Sequence, residues 1–139
     1  MTARVLERRA TYEDLLAVPE HLVAELIDGE VYTSPRPRLR HAKVATRVGS
    51  RLERAFDSGD DEPGGWVIVF EPELRLHENA VIPDLAGWRI ERAPTDLDAT
   101  RIDIPPDWVC EVLSPSTRNF DTASRKWRFT LVITSSTRG

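Results

Sequence analysis

The sequence predicts a mixed α/β (α+β) domain built around a small sheet, and three observations carry that expectation. An Asp28-Gly29 pair separates two apolar runs and signals a tight hairpin. From Leu39 to Phe56 apolar residues recur at helical spacing. Between Trp66 and Leu113 several short apolar runs, punctuated by prolines, have the length and composition of strands. At 139 residues the chain is the size of one domain, residues 1–139, with roughly two-thirds of its unfolded surface removable from water.

The elements follow in order. Thr11 with Asp14 three positions on resembles a capping box, and predicts a short helix that ends near Pro19. VAELI and EVYTS, joined by Asp28-Gly29, predict a hairpin over 22–34. PRPRLR, with its two prolines, leads into the long helix, whose core face comprises Ala42, Ala45, Val48, Leu52, Ala55 and Phe56. The turn-rich, acidic DSGDDEPGG ends it. WVIVFEPELRL then predicts one strand, or two broken at Pro72, and AVIPDLAGW a strand from Ile82 to Gly87. After the polar connection RAPTDLDATRIDIPP comes the strand in PDWVCEVL, and Ser116, Thr117 or Asn119 is placed to cap a final helix from Phe120. No internal repeat or interdomain linker interrupts this order, which is that of a sheet packed with helices.

Composition narrows the function classes. Hydrophobic residues at 40% and charged residues at 30% fit an ordinary globular protein, and no apolar run approaches a membrane span. The arginines of MTARVLERRA have no continuous apolar segment behind them, so no secretory signal is expected. With Cys110 as the lone cysteine, a reducing cytoplasm is the expected location. A net charge of −4 argues against binding nucleic acid through bulk charge. Its distribution differs: Arg36 to Arg54 holds seven basic residues against Glu53, a charge of +6, which leaves −10 for the rest. A localised basic segment on an acidic body is a candidate site.

Three features carry candidate chemistry. Asp84 and Glu111 each stand in an apolar run, where a carboxylate persists only if it is neutralised, hydrogen-bonded or bound to a cation. Brought together on adjacent strands they would suit Mg²⁺ or Mn²⁺, which prefer hard oxygen ligands. The alternative is structural: Asp84 closes its strand in a Pro-Asp turn and Glu111 pairs with an arginine. Lys126 follows the Glu111 strand and could stabilise a phosphate or orient a water, or be an ordinary solvated lysine. Arg40, Lys43, Arg47, Arg51 and Arg54 fall within an arc of about 80 degrees on the long helix. Such a stripe suits successive phosphates, although the wet side of an amphipathic helix would also be charged.

The segments HLVAELIDGEVYTSPRPRLRH, EPELRL, PDLAGWR and PDWVCEVLSPST, in that order and with Lys126 downstream, resemble the Uma-type restriction endonuclease family. That family belongs to the PD-(D/E)XK nuclease-like superfamily, and the resemblance covers about residues 10–126. It implies a restriction endonuclease-like core: a small mixed sheet flanked by helices. It also implies that Asp84 and Glu111 are the two acids of the catalytic motif, with Lys126 in place of the lysine that a strict motif would put at Leu113. Glu25 is similar to the glutamate that completes the metal site, and the carbonyl of Val112 would add a ligand. His41 matches a family histidine with several available roles: helix cap, phosphate contact or catalysis. The implied reaction is hydrolysis of DNA phosphodiesters by a water activated by Mg²⁺ or Mn²⁺. A homodimer is the expected assembly by analogy with nucleases that cut both strands. After Lys126 the resemblance stops; WRFTLVITSSTRG reads as an ending without the family's C-terminal strands, with only LVIT having strand character. The shortened end leaves a second hypothesis, a catalytically inactive nucleic-acid-binding or interaction domain of the same fold.

Overall fold

The computed structural model describes residues 8–57, 64–112 and the backbone of 132–134. Helix α1 (Tyr12–Leu16) is followed by the hairpin of β1 (Leu22–Ile27) and β2 (Glu30–Pro35), then by helix α2 (Leu39–Leu52). Strands β3 (Trp66–Phe70), β4 (Leu74–Leu76), β5 (Asn79–Val81), β6 (Leu85–Arg89), β7 (Trp108–Glu111) and β8 (Val132–Thr134) complete the described elements. They form two four-stranded sheets, ordered β2-β1-β5-β4 and β3-β6-β7-β8. All pairings are antiparallel except β7 with β8, which run parallel.

Local chemistry accounts for the ends. Asp14 accepts a hydrogen bond from the Thr11 N–H at 2.7 Å and so holds the start of α1. Both of its oxygens also accept from Arg8, at 2.7 and 2.8 Å. The β1–β2 turn closes between Ile27 and Glu30, with Asp28 at φ 50° and Gly29 at φ 79°. Two consecutive left-handed residues define the twist that a two-residue hairpin needs, and Gly29 supplies one without steric cost.

Two boundaries differ from expectation. The regular helix ends at Leu52, and Glu53–Asp57 widen into one π turn. Ala55 and Phe56, both expected in the core face, are consequently exposed, Phe56 at 47%, and that face ends at Leu52. The single strand expected over Ile82–Gly87 is instead β5 and β6, separated by a bend at 82–84. Pro83 has no N–H to give a ladder, and the Ile82 N–H turns to the Glu25 side chain. WVIVFEPELRL likewise divides at Pro72 into β3 and β4, with Glu71 at φ 46°.

The core lies between the sheets. Ile27, Leu74 and Val81 of the first pack with Ala86, Trp88 and Val109 of the second. Burying each large side chain contributes about 1.5–3 kcal/mol. The Trp88 indole N–H is satisfied by the Ile104 carbonyl at 2.9 Å. A smaller cluster of Leu15, Leu26 and Ala80 seats α1 on the first sheet. Ile102, in the β6–β7 connection, bonds the backbone of Arg75 and Glu73 at 2.8 and 2.9 Å and so covers the outer side of β4. The strand character of LVIT is realised in β8, which pairs with β7 from Val109 to Glu111. Among the described residues no helix is long and apolar enough to cross a membrane.

Candidate functional site

Asp84 occupies the bend just before β6 and is 9% exposed. Its backbone carbonyl accepts from the Glu71 N–H at 3.0 Å, which fixes it against the end of β3. Both carboxylate oxygens are engaged: Oδ1 lies 2.8 Å from His41 Nε2, and Oδ2 accepts the Val112 N–H at 2.6 Å. An ionised carboxylate oxygen can only accept, so with Asp84 ionised the donor of this contact is the His41 tautomer that carries its proton on Nε2.

His41 reaches Asp84 because of how α2 docks. His41, Ala45 and Leu52 share the inward face of the helix, and Ala45 is almost wholly buried. Gly49 continues that face: a Cβ there would lie 3.1 Å from Leu85 Cδ2. Glycine thus brings α2 close to Leu85, the residue after Asp84, and the first turn of the helix carries His41 to the carboxylate.

Glu111 closes β7. The last cross-strand pair of β6 and β7 is Leu85 with Cys110, so Asp84 directly precedes one member of that pair and Glu111 directly follows the other. The Cys110 thiol senses both: burial first, then the charges of Asp84 and Glu111, push its pKa up to about 11. Glu25, on β1, accepts the Ile82 N–H at 2.8 Å through Oε2 and holds the bend that carries Asp84. Lys126, the proposed helix caps and the helix from Phe120 fall outside the described residues.

Among the described residues no three His, Cys, Asp or Glu side chains are grouped as a metal cage. The carboxylates of Asp84 and Glu111, at the same end of the β6–β7 pair, would nevertheless suit Mg²⁺, which is commonly held by one or two carboxylates and keeps several waters. The donors are hard oxygens, as Mg²⁺ and Mn²⁺ prefer.

Arg40, Lys43, Arg47, Arg51 and Arg54 are all exposed, the first four on α2 and Arg54 in the π turn. By helical geometry this stripe is rotated about 120 degrees from His41, so one helix carries exposed basic side chains outward and a contact to Asp84 inward. Elsewhere, Arg75 and Arg101 lie 4.0 and 5.0 Å from the centre of the Tyr12 ring, whose hydroxyl donates to Glu73. A groove of about 880 Å³ runs between Arg75–His77 and the β6–β7 connection, and none of the candidate site residues lines it.

The contact between His41 and Asp84 was not derivable from local pattern. Its one sequence signal is the position of His41 on the apolar face of its helix, where a histidine needs a polar partner.

Comparison with curated proteins returns no match. Among solved structures the chain is similar to "a putative nuclease belonging to DUF820" from Anabaena variabilis ATCC 29413, with a TM-score of 0.66 at 21% identity. The alignment covers 82% of this chain and 64% of that one, so the chain spans less than two-thirds of its neighbour's length. This likeness establishes a shared fold. The family model described as "Uma2: Putative restriction endonuclease" matches residues 9–131, nearly the whole chain, and the chain belongs to that family.

Proposed function

We propose that this chain is a divalent-cation-dependent nuclease domain that hydrolyses DNA phosphodiesters. The observation that carries the reading is Asp84, held at both oxygens in the bend before β6, with Glu111 just past the last β6–β7 pair. Asp84 and Glu111 would hold the cation. Bound Mg²⁺ or Mn²⁺ supplies a Lewis acid for the phosphoryl oxygens and lowers the pKa of a water. The chain's own groups orient the rest. His41 and the Val112 N–H keep the Asp84 carboxylate from rotating, while Glu25 steadies the bend at Ile82. Lys126 would offset negative charge on the phosphate or position the attacking water. The exposed stripe from Arg40 to Arg54 would bind successive backbone phosphates and set the duplex against the site. Cutting both strands calls for a second copy, so a homodimer is part of the proposal.

The test is conversion of supercoiled plasmid to open circles with Mg²⁺, with Mn²⁺ and with chelator. Metal-dependent nicking that disappears in Glu111→Gln, with a cooperative melt retained, is the expected result. Salt-sensitive DNA binding without nicking under any metal would instead establish an inactive binding domain.

A further inference from the structure

We infer that His41 is a positioning residue for the cation site: its Nε2–H fixes the orientation of the Asp84 carboxylate. This rests on the reading of Asp84 as a cation ligand. A carboxylate at the end of an aspartate can rotate about its terminal torsion, whose preferences are broad. Here one oxygen is taken by the Val112 N–H at 2.6 Å and the other by His41 Nε2 at 2.8 Å. The two donors come from different parts of the fold, the backbone just after β7 and the first turn of α2. Together they leave a single carboxylate plane.

The backbone donor survives every substitution at Val112 except proline, whereas the imidazole is lost with any change of His41. Both side chains are largely enclosed, His41 at 20% and Asp84 at 12% exposure, so water replaces the imidazole poorly. The close approach of α2 to Leu85 at Gly49 determines how far His41 reaches, which makes the helix itself part of the alignment. Each carboxylate oxygen keeps a second lone pair for a cation while it accepts from its donor. Partners that orient a ligand in this way typically govern metal affinity by about 10–100-fold.

The experiment is calorimetric titration of Mn²⁺ into the wild-type chain and the His41→Leu, His41→Phe, His41→Gln and Asp84→Asn variants, each first melted to establish folding. Plasmid nicking against Mn²⁺ concentration is measured on the same samples. His41→Leu or His41→Phe, which remove the donor, should weaken Mn²⁺ binding about tenfold or more and raise the half-saturating Mn²⁺ for nicking in step. His41→Gln, whose amide can donate from a similar position, should recover most of the loss. Unchanged Mn²⁺ affinity in the donorless variants overturns the inference. So does a His41→Gln variant as weak as His41→Leu, or failure of both donorless variants to fold, since His41 would then serve packing. Asp84→Asn with wild-type Mn²⁺ binding would instead overturn the underlying assignment of Asp84.

Discussion

Oδ2 of Asp84 accepts the backbone N–H of Val112 at 2.6 Å, joining the bend before β6 to the residue that follows Glu111. A side chain thereby does what the strand ladder does one residue earlier. It ties the bend before β6 to the backbone just after β7, past the last backbone pair of the two strands.

That bond makes Asp84→Ala a stability experiment as well as a functional one. The substitution leaves a buried N–H without its acceptor, at a cost of about 1–3 kcal/mol. Asp84→Asn retains an amide oxygen and should cost less. Urea denaturation of the two variants measures the difference.

Helix α2 should tolerate little at Gly49. A Cβ already meets Leu85 Cδ2 at 3.1 Å, so Gly49→Val must push the helix off β6 or force Leu85 out of its rotamer. Overpacking of this kind costs about 1–3 kcal/mol. The same shift would withdraw His41 from Asp84, so nicking should fall along with the melting temperature.

Trp88 spans the core between the sheets and is fully buried. Trp88→Ala should cost about 3–5 kcal/mol, enough to unfold much of the population of a marginally stable domain. Circular dichroism melts would register it directly.

Acid stability should depend on Asp14. The Arg8 guanidinium, with the Thr11 N–H, holds its carboxyl well below the usual aspartate value of 3.8. A depressed pKa favours the folded state above that ordinary value, and the benefit is lost as pH falls through it toward the folded pKa. Asp14→Asn should therefore lower stability at neutral pH and flatten the acid side of a pH–stability profile, the two proteins converging at low pH.

DNA binding should carry the signature of counterion release. Replacing Arg47 and Arg51 by alanine removes two exposed charges from the stripe on α2. If both contact phosphates, the slope of log affinity against log salt should fall by about 1.8. An unchanged slope would place the DNA elsewhere.

Where the chain is governed by local chemistry, the sequence was legible. Asp28-Gly29 specified the hairpin, and the apolar spacing from Ala42 to Leu52 specified the face of α2. The strand expected from Ile82 to Gly87 was not realised; Pro83 cannot give a ladder N–H, and the bend depends on Glu25, 57 residues away, accepting the Ile82 N–H. The partnership of His41 with Asp84 spans 43 residues and follows from helix docking at Gly49, which periodicity along the chain does not encode. Asp84 and Glu111 could be singled out as acids in apolar surroundings; that both lie at the end of the β6–β7 pair needed the register of Leu85 with Cys110.

The most direct test of the central claim is metal-dependent nicking of supercoiled plasmid by the wild-type chain and by Asp84→Asn, whose shape is nearly unchanged. The account predicts Mn²⁺-dependent nicking in the wild type and none above background in the folded variant. Equal nicking by both would contradict it, because the cation would then have to be held without Asp84.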